Sequence, residues 1–118
     1  MPGKRLKANV RHQAGIAIID LHGEIDASAE SVLNTAYNEA ESQETRTILL
    51  NFSDVQYINS TGIALIVSLL SRARKSQHRL LACGLSDHYV EIFKITRLAD
   101  FMSVFPDEAS ALKDQPIS

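Results

Sequence analysis

One cysteine, Cys83, is all the sulfur chemistry this 118-residue sequence offers beyond two methionines. It excludes an internal disulfide and cannot alone build a thiolate metal site, so a reducing, cytosolic location is expected. Long hydrophobic runs are also missing. The longest unbroken apolar run lies in the "IALIV" region, far below the roughly 20 residues needed to span a bilayer. The basic N-terminus, "MPGKRLKANVRHQAG", has no apolar stretch of the kind found in a signal peptide. Nor is there an excess of one charge. Twelve basic residues face 14 acidic ones, for a formal charge of -2, so no global field draws the chain to nucleic acid or membrane. No glycine-rich phosphate loop is present, which argues against a kinase or NTPase, and no Gly-x-Ser-x-Gly elbow marks a hydrolase. The four histidines, His12, His22, His78 and His88, are scattered without the spacing of a metal site. No metal, cofactor or catalytic residue is expected.

What is present is ordinary for a globular domain: 45% hydrophobic and 22% charged residues. A chain of this length makes one domain and hides roughly two thirds of its unfolded surface. "LKANVRHQAGIAIIDLHGEI" reads as two strands around a turn at Gln13-Ala14-Gly15. "DASAESVLNTAYNEAESQ" follows with Val32, Leu33, Ala36, Tyr37 and Ala40 at helical spacing, its start capped by Asp26 or Ser28. "RTILLNFS" is a continuous apolar run with β-branched members, a buried strand. A helix over 61–74, a strand at "HRLLACGL", a helix capped by Ser86, an edge strand at "MSVF" and a short helix at "DEASALK" complete the series. Only the final "KDQPIS" reads as a loose tail. Alternating strands and helices predict an α/β fold: a mixed, mostly parallel sheet of about five strands with about four helices.

"YINSTGIALIVSLLSRAR" holds the most chemistry. At 100° per residue, Ile63, Ile66, Val67 and Leu70 gather into a stripe expected to face the sheet. Thr61, Leu65, Ser68 and Arg72 gather on the opposite side, with Ala64 beside them, as a candidate docking face. Asn59 and Ser60 are both good N-caps. Thr61 then sits in the first turn, and Gly62, a poor helix former by about 1 kcal/mol, points to a close approach to the backbone. A helix N-terminus favours an added phosphate by up to about 2 kcal/mol, and that phosphate would bring about -2 charge to a neutral surface. Spacing alone does not decide between an acceptor and a plain helix cap. The cations Arg72, Arg74, Lys75, His78 and Arg79 fall at the C-terminus of this helix, where they offset its dipole. No aromatic residues interleave with them, as single-strand nucleic acid would require.

Three segments in order resemble the STAS family (sulphate transporter and anti-sigma factor antagonist domains). They are "LHGEIDASA", "LLNFSDVQYINSTGIALIVSLLSRARK" and "LACGLSDHYVEIFKITRLADFMSVFPDEASAL", and the resemblance covers about residues 6–113. Stand-alone members are typically anti-sigma factor antagonists. The resemblance therefore implies a cytoplasmic, non-enzymatic partner switch. Unmodified, it binds an anti-sigma factor that is also a serine kinase; the kinase, using ATP and magnesium, phosphorylates it and releases it, and a phosphatase resets it. By position the acceptor is Thr61, with Ser60 as alternative. Glu24, Asp26, Asn59, Ser60, Gly62, Leu65, Ser68 and Arg72 are the expected partner contacts. Three departures stand out: Asn59 replaces the usual aspartate, Thr61 the commoner serine, and Arg97 a frequent glycine. The alternative is a never-phosphorylated scaffold or adaptor of a stress-signalling or lipid-transport assembly.

Overall fold

The computed structural model describes residues 4–113. Strands β1 (Lys7–Gln13) and β2 (Ile16–Ile25) form an antiparallel hairpin, and β3 (Thr47–Ile58), β4 (Arg79–Cys83) and β5 (Ser103–Phe105) follow in parallel, in the spatial order of the sequence. The hairpin loop is two residues, Ala14 and Gly15, both at positive φ. That is the twist a tight hairpin needs, and glycine meets it without strain. Helices α1 (Glu30–Ala40), α2 (Ser60–Lys75), α3 (Asp87–Ile95) and α4 (Glu108–Lys113) fill the crossovers and the end of the chain. The expected mixed sheet and four helices are all present; residues 114–118 of the expected tail lie outside the described residues.

The strands alternate, and the alternation divides the core. Ala17, Ile19, Leu21, Leu50 and Phe52 pack with Leu33 and Tyr37 of α1, Ile66 and Leu69 of α2, and Phe93 of α3. Ile18, Leu49, Leu81 and Cys83 pack on the other side with Ala111 of α4. Burial pushes the Cys83 thiol up to about 11, so it carries little thiolate at neutral pH.

Two readings need correction. β3 does not stop at Ser53 but runs to Ile58, five residues beyond the expected strand, and pairs with β2 to its end across two register shifts that leave Phe52, Ser53 and Gln56 without a partner in the register. Exposed Ser53, Asp54 and Gln56 conceal it, because they face no strand on the other edge: β4 pairs β3 only as far as Asn51. Tyr89 of α3 covers that open edge, its hydroxyl oxygen accepting from the Ile58 amide at 2.8 Å.

Helix α2 is also rotated from the expected projection. Its buried residues are Gly62, Ile66, Leu69, Leu70 and Ala73, while Val67 is 46% exposed. The cause is Gly62. A Cβ there would lie 2.1 Å from the Ile25 carbonyl oxygen, so the first turn seats glycine-side down on the end of β2. The arc 62–66–69–73 follows inward from that contact.

Arg97 also finds its account. It follows α3 in the left-handed region, φ 68°, the conformation that glycine adopts freely at a helix end. The arginine accepts strain of about 1–2 kcal/mol there and pairs with Asp100.

Candidate functional site

β2 and β3 run parallel and end level, Ile25 beside Ile58, so the chain leaves the sheet twice at one edge, into Asp26 and into Asn59. Open α/β sheets place their binding surfaces at this carboxyl end of the strands. The Asn59 amide donates to the Ile25 carbonyl at 3.2 Å and joins the two exits. Its side-chain Oδ1 accepts from the Gly62 amide at 2.8 Å and caps α2. Asparagine caps as well as aspartate does, so the replacement keeps the helix start and removes a negative charge.

Ser60 and Thr61 occupy the first turn, both exposed. Their amides belong to the donors that any helix start leaves unpaired. Asp26 is close by in the chain path but turned to a different task. Its carboxylate accepts from the Ser28 hydroxyl at 2.6 Å and the Ser28 amide at 2.9 Å, which hold it below the usual carboxylate range. It caps the 3-10 turn Ala27–Ala29 that leads into α1, and α1 itself has no side-chain cap. Glu24, half-buried, is held through its amide, which donates to the Lys4 carbonyl at 3.0 Å.

The expected docking face divides. Ser60, Thr61 and Ser68 are exposed, and the Ser68 hydroxyl donates back to the Ala64 carbonyl at 3.2 Å. Gly62 is buried and cannot touch a partner; the close approach it permits is that of Ile25. Leu65 is partly buried against the core. Arg72 is turned to α1: it donates to Asn38 and to Glu41 at 2.6 Å, and its guanidinium lies 4.4 Å from the centroid of the Tyr37 ring.

The outward stripe of α2 is instead Ser60, Ala64, Val67, Ser71 and Arg74, every one exposed. At its lower end Val67, Leu70, Ser71 and Arg74 form a shallow groove of about 280 Å³ with Phe101, which is 57% exposed and carries the Arg74 guanidinium 5.1 Å from its centroid. Tyr57, 49% exposed, stands two residues before the cap. Neither Tyr57 nor Phe101 is marked by a sequence pattern, and Val67 belongs by its spacing to the stripe expected to face the sheet, yet it points outward. Treating Gly62 as an inward position would have found the stripe, since 62, 66, 69 and 73 share one face.

Among the described residues no group of three or more His, Cys, Asp or Glu side chains is placed to hold a metal ion. His22 pairs with Asp54 at 2.9 Å, and His78 shares a hydrogen bond with the Tyr37 hydroxyl at 3.2 Å. No helix of the described residues is long and apolar enough to cross a membrane.

Comparison with known proteins agrees with this architecture. The chain is 31% identical over 86 residues to the anti-sigma-B factor antagonist of Staphylococcus aureus, covering 73% of this chain and 80% of that protein. It superposes on an anti-sigma factor antagonist from Mycobacterium paratuberculosis with a TM-score of 0.78 at 17% identity over 92% of each chain. It also matches the Bacillus cell fate determinant SpoIIAA in its phosphorylated form, with a TM-score of 0.63 at 20% identity over 90% of this chain and 96% of that one. The family model for the STAS domain matches residues 7–111, and the chain belongs to the STAS domain family.

Proposed function

We propose that this chain is an anti-sigma factor antagonist, acting in the cytoplasm as a phosphorylation-controlled partner switch without catalysis of its own. Unmodified, it binds an anti-sigma factor that is also a serine kinase. Phosphorylation of Thr61, with ATP and magnesium bound by the kinase, releases it, and a phosphatase restores it. One observation carries the reading: an exposed hydroxyl stands in the first turn of a helix whose cap is neutral. The likeness to an antagonist of anti-sigma-B factor supports the class of partner.

The physics of release follows from position. A phosphate on Thr61 sits near the positive end of α2, where the fold tolerates it. On the contact side the same group brings about -2 charge beside the uncharged Ser60, Ala64 and Val67. A partner seated over Ser60, Ala64 and Val67 would have to desolvate that charge, while Arg72 is held by Glu41 and Arg74 lies over Phe101 at the other end of the helix. The test is binding of the Thr61→Glu protein to the anti-sigma factor. Normal folding with lost binding supports the switch; wild-type affinity overturns it.

A further inference from the structure

The start of the described chain lines a second groove. Lys4, Arg5, Lys7 and His22 line a groove of about 490 Å³ with Gly23, Asp54 and Gln56. The basic segment is held in place. Leu6, between the cations, is 4% exposed and belongs to the core. The Glu24 amide donates to the Lys4 carbonyl at 3.0 Å. Gly23 has φ 114°, and a Cβ there would lie 2.7 Å from the Arg5 carbonyl oxygen and 3.1 Å from that of Lys4. Only glycine lets this segment lie against β2. Lys7 stands opposite His22 across the antiparallel pair.

The charges lining this groove do not cancel one another, although Asp26, outside the lining, feels the Arg5 charge. Asp54, the one carboxylate lining it, is engaged by His22 at 2.9 Å and by Gln56. Among the described residues no carboxylate forms an ion pair with Lys4, Arg5 or Lys7. Three cations therefore converge on one groove in a chain whose formal charge is -2. Its volume lies in the range of small-molecule sites. Cations at three separate positions are engaged together only by an anion that carries charge on more than one group. An arginine fork with two lysine point charges suits phosphate oxygens.

We infer that this groove binds a small polyphosphate-bearing anion, on the sheet face where β1, β2 and β3 lie side by side and with neither first-turn hydroxyl of α2 in its lining. The probe is inorganic tripolyphosphate, titrated into the full chain in magnesium-free buffer at low salt, where screening is weak. Calorimetry and amide NMR shifts read the result. Saturable one-to-one binding is expected, with shifts confined to residues 4–7, 22–24 and 54–56. The double variant Arg5→Gln/Lys7→Gln should weaken it by about ten-fold or more. Lys75→Gln/Lys94→Gln, the same charge change elsewhere, should not. Absence of saturation overturns the site, and so does equal weakening by both double variants, which would mean diffuse charge attraction. Tighter binding of a poly-glutamate peptide than of tripolyphosphate would also overturn it, by reassigning the groove to an acidic protein segment.

Discussion

The two ends of α2 are built oppositely. At the top, Ser60 and Thr61 are exposed beside a neutral asparagine cap. At the bottom, Arg72 is fixed by Glu41, Asn38 and the face of Tyr37, and Ser76 reaches the same Glu41 at 3.5 Å. One end can take on charge without breaking anything; the other uses charge to lock the helix to α1. The difference teaches that polar residues on one helix face need not serve one purpose. Thr61 and Arg72 project to nearly the same side, yet only the upper one is exposed, while the lower one is held by Glu41.

Thr61→Glu should produce the largest effect. We expect a loss of about 100-fold in anti-sigma factor affinity, about 2.7 kcal/mol, with thermal unfolding unchanged, because a first-turn acid suits the helix dipole. Calorimetric titration beside a melting curve separates the two. Gly62→Ala comes next. Although alanine is the better helix former, its Cβ meets the Ile25 carbonyl, so urea unfolding should show a loss of about 1–3 kcal/mol. A stabilised Gly62→Ala protein would contradict the seating of α2.

Val67→Asp should weaken partner binding by about ten-fold, as expected for an apolar contact near an interface centre, and leave stability within about 0.5 kcal/mol. Arg72→Ala should do the reverse: a loss of about 1 kcal/mol in stability with affinity retained. If Arg72→Ala instead lost binding and kept its stability, the contrast between the two ends would fail. Asn59→Asp is the smallest change. The cap is preserved, so stability should shift by less than about 0.5 kcal/mol, while phosphorylation by the kinase should slow because the product then places phosphate beside a carboxylate.

How far the sequence could be read depended on which neighbours a residue had. The succession of strands and helices and the Ser86 cap follow from local pattern, and each stands where expected. The far half of β3 was hidden because its polar residues reflect an edge left open by the short β4, a fact about strand lengths elsewhere. The facing of α2 turned on one contact, Gly62 on Ile25, between residues 37 positions apart. Arg97 is the converse case: its departure from glycine was visible, but the left-handed φ that gives the departure meaning was not. Arg72, by its spacing a docking-face residue, is turned instead to Tyr37 of α1 and to Glu41 at its end, neighbours that no local pattern reveals.

The hydroxyl in the first turn of α2 is proposed to be a regulated acceptor. Phosphopeptide mass spectrometry on the protein isolated from its own cells, at rest and under stress, tests it most directly. The expected result is phosphate on Thr61 with an occupancy that changes between the two conditions. Phosphate on Ser60 would keep the switch and move the acceptor one residue. Neither residue modified in either condition would contradict the account and favour an unphosphorylated scaffold, with the Asn59-Ser60-Thr61-Gly62 turn serving only to start a helix.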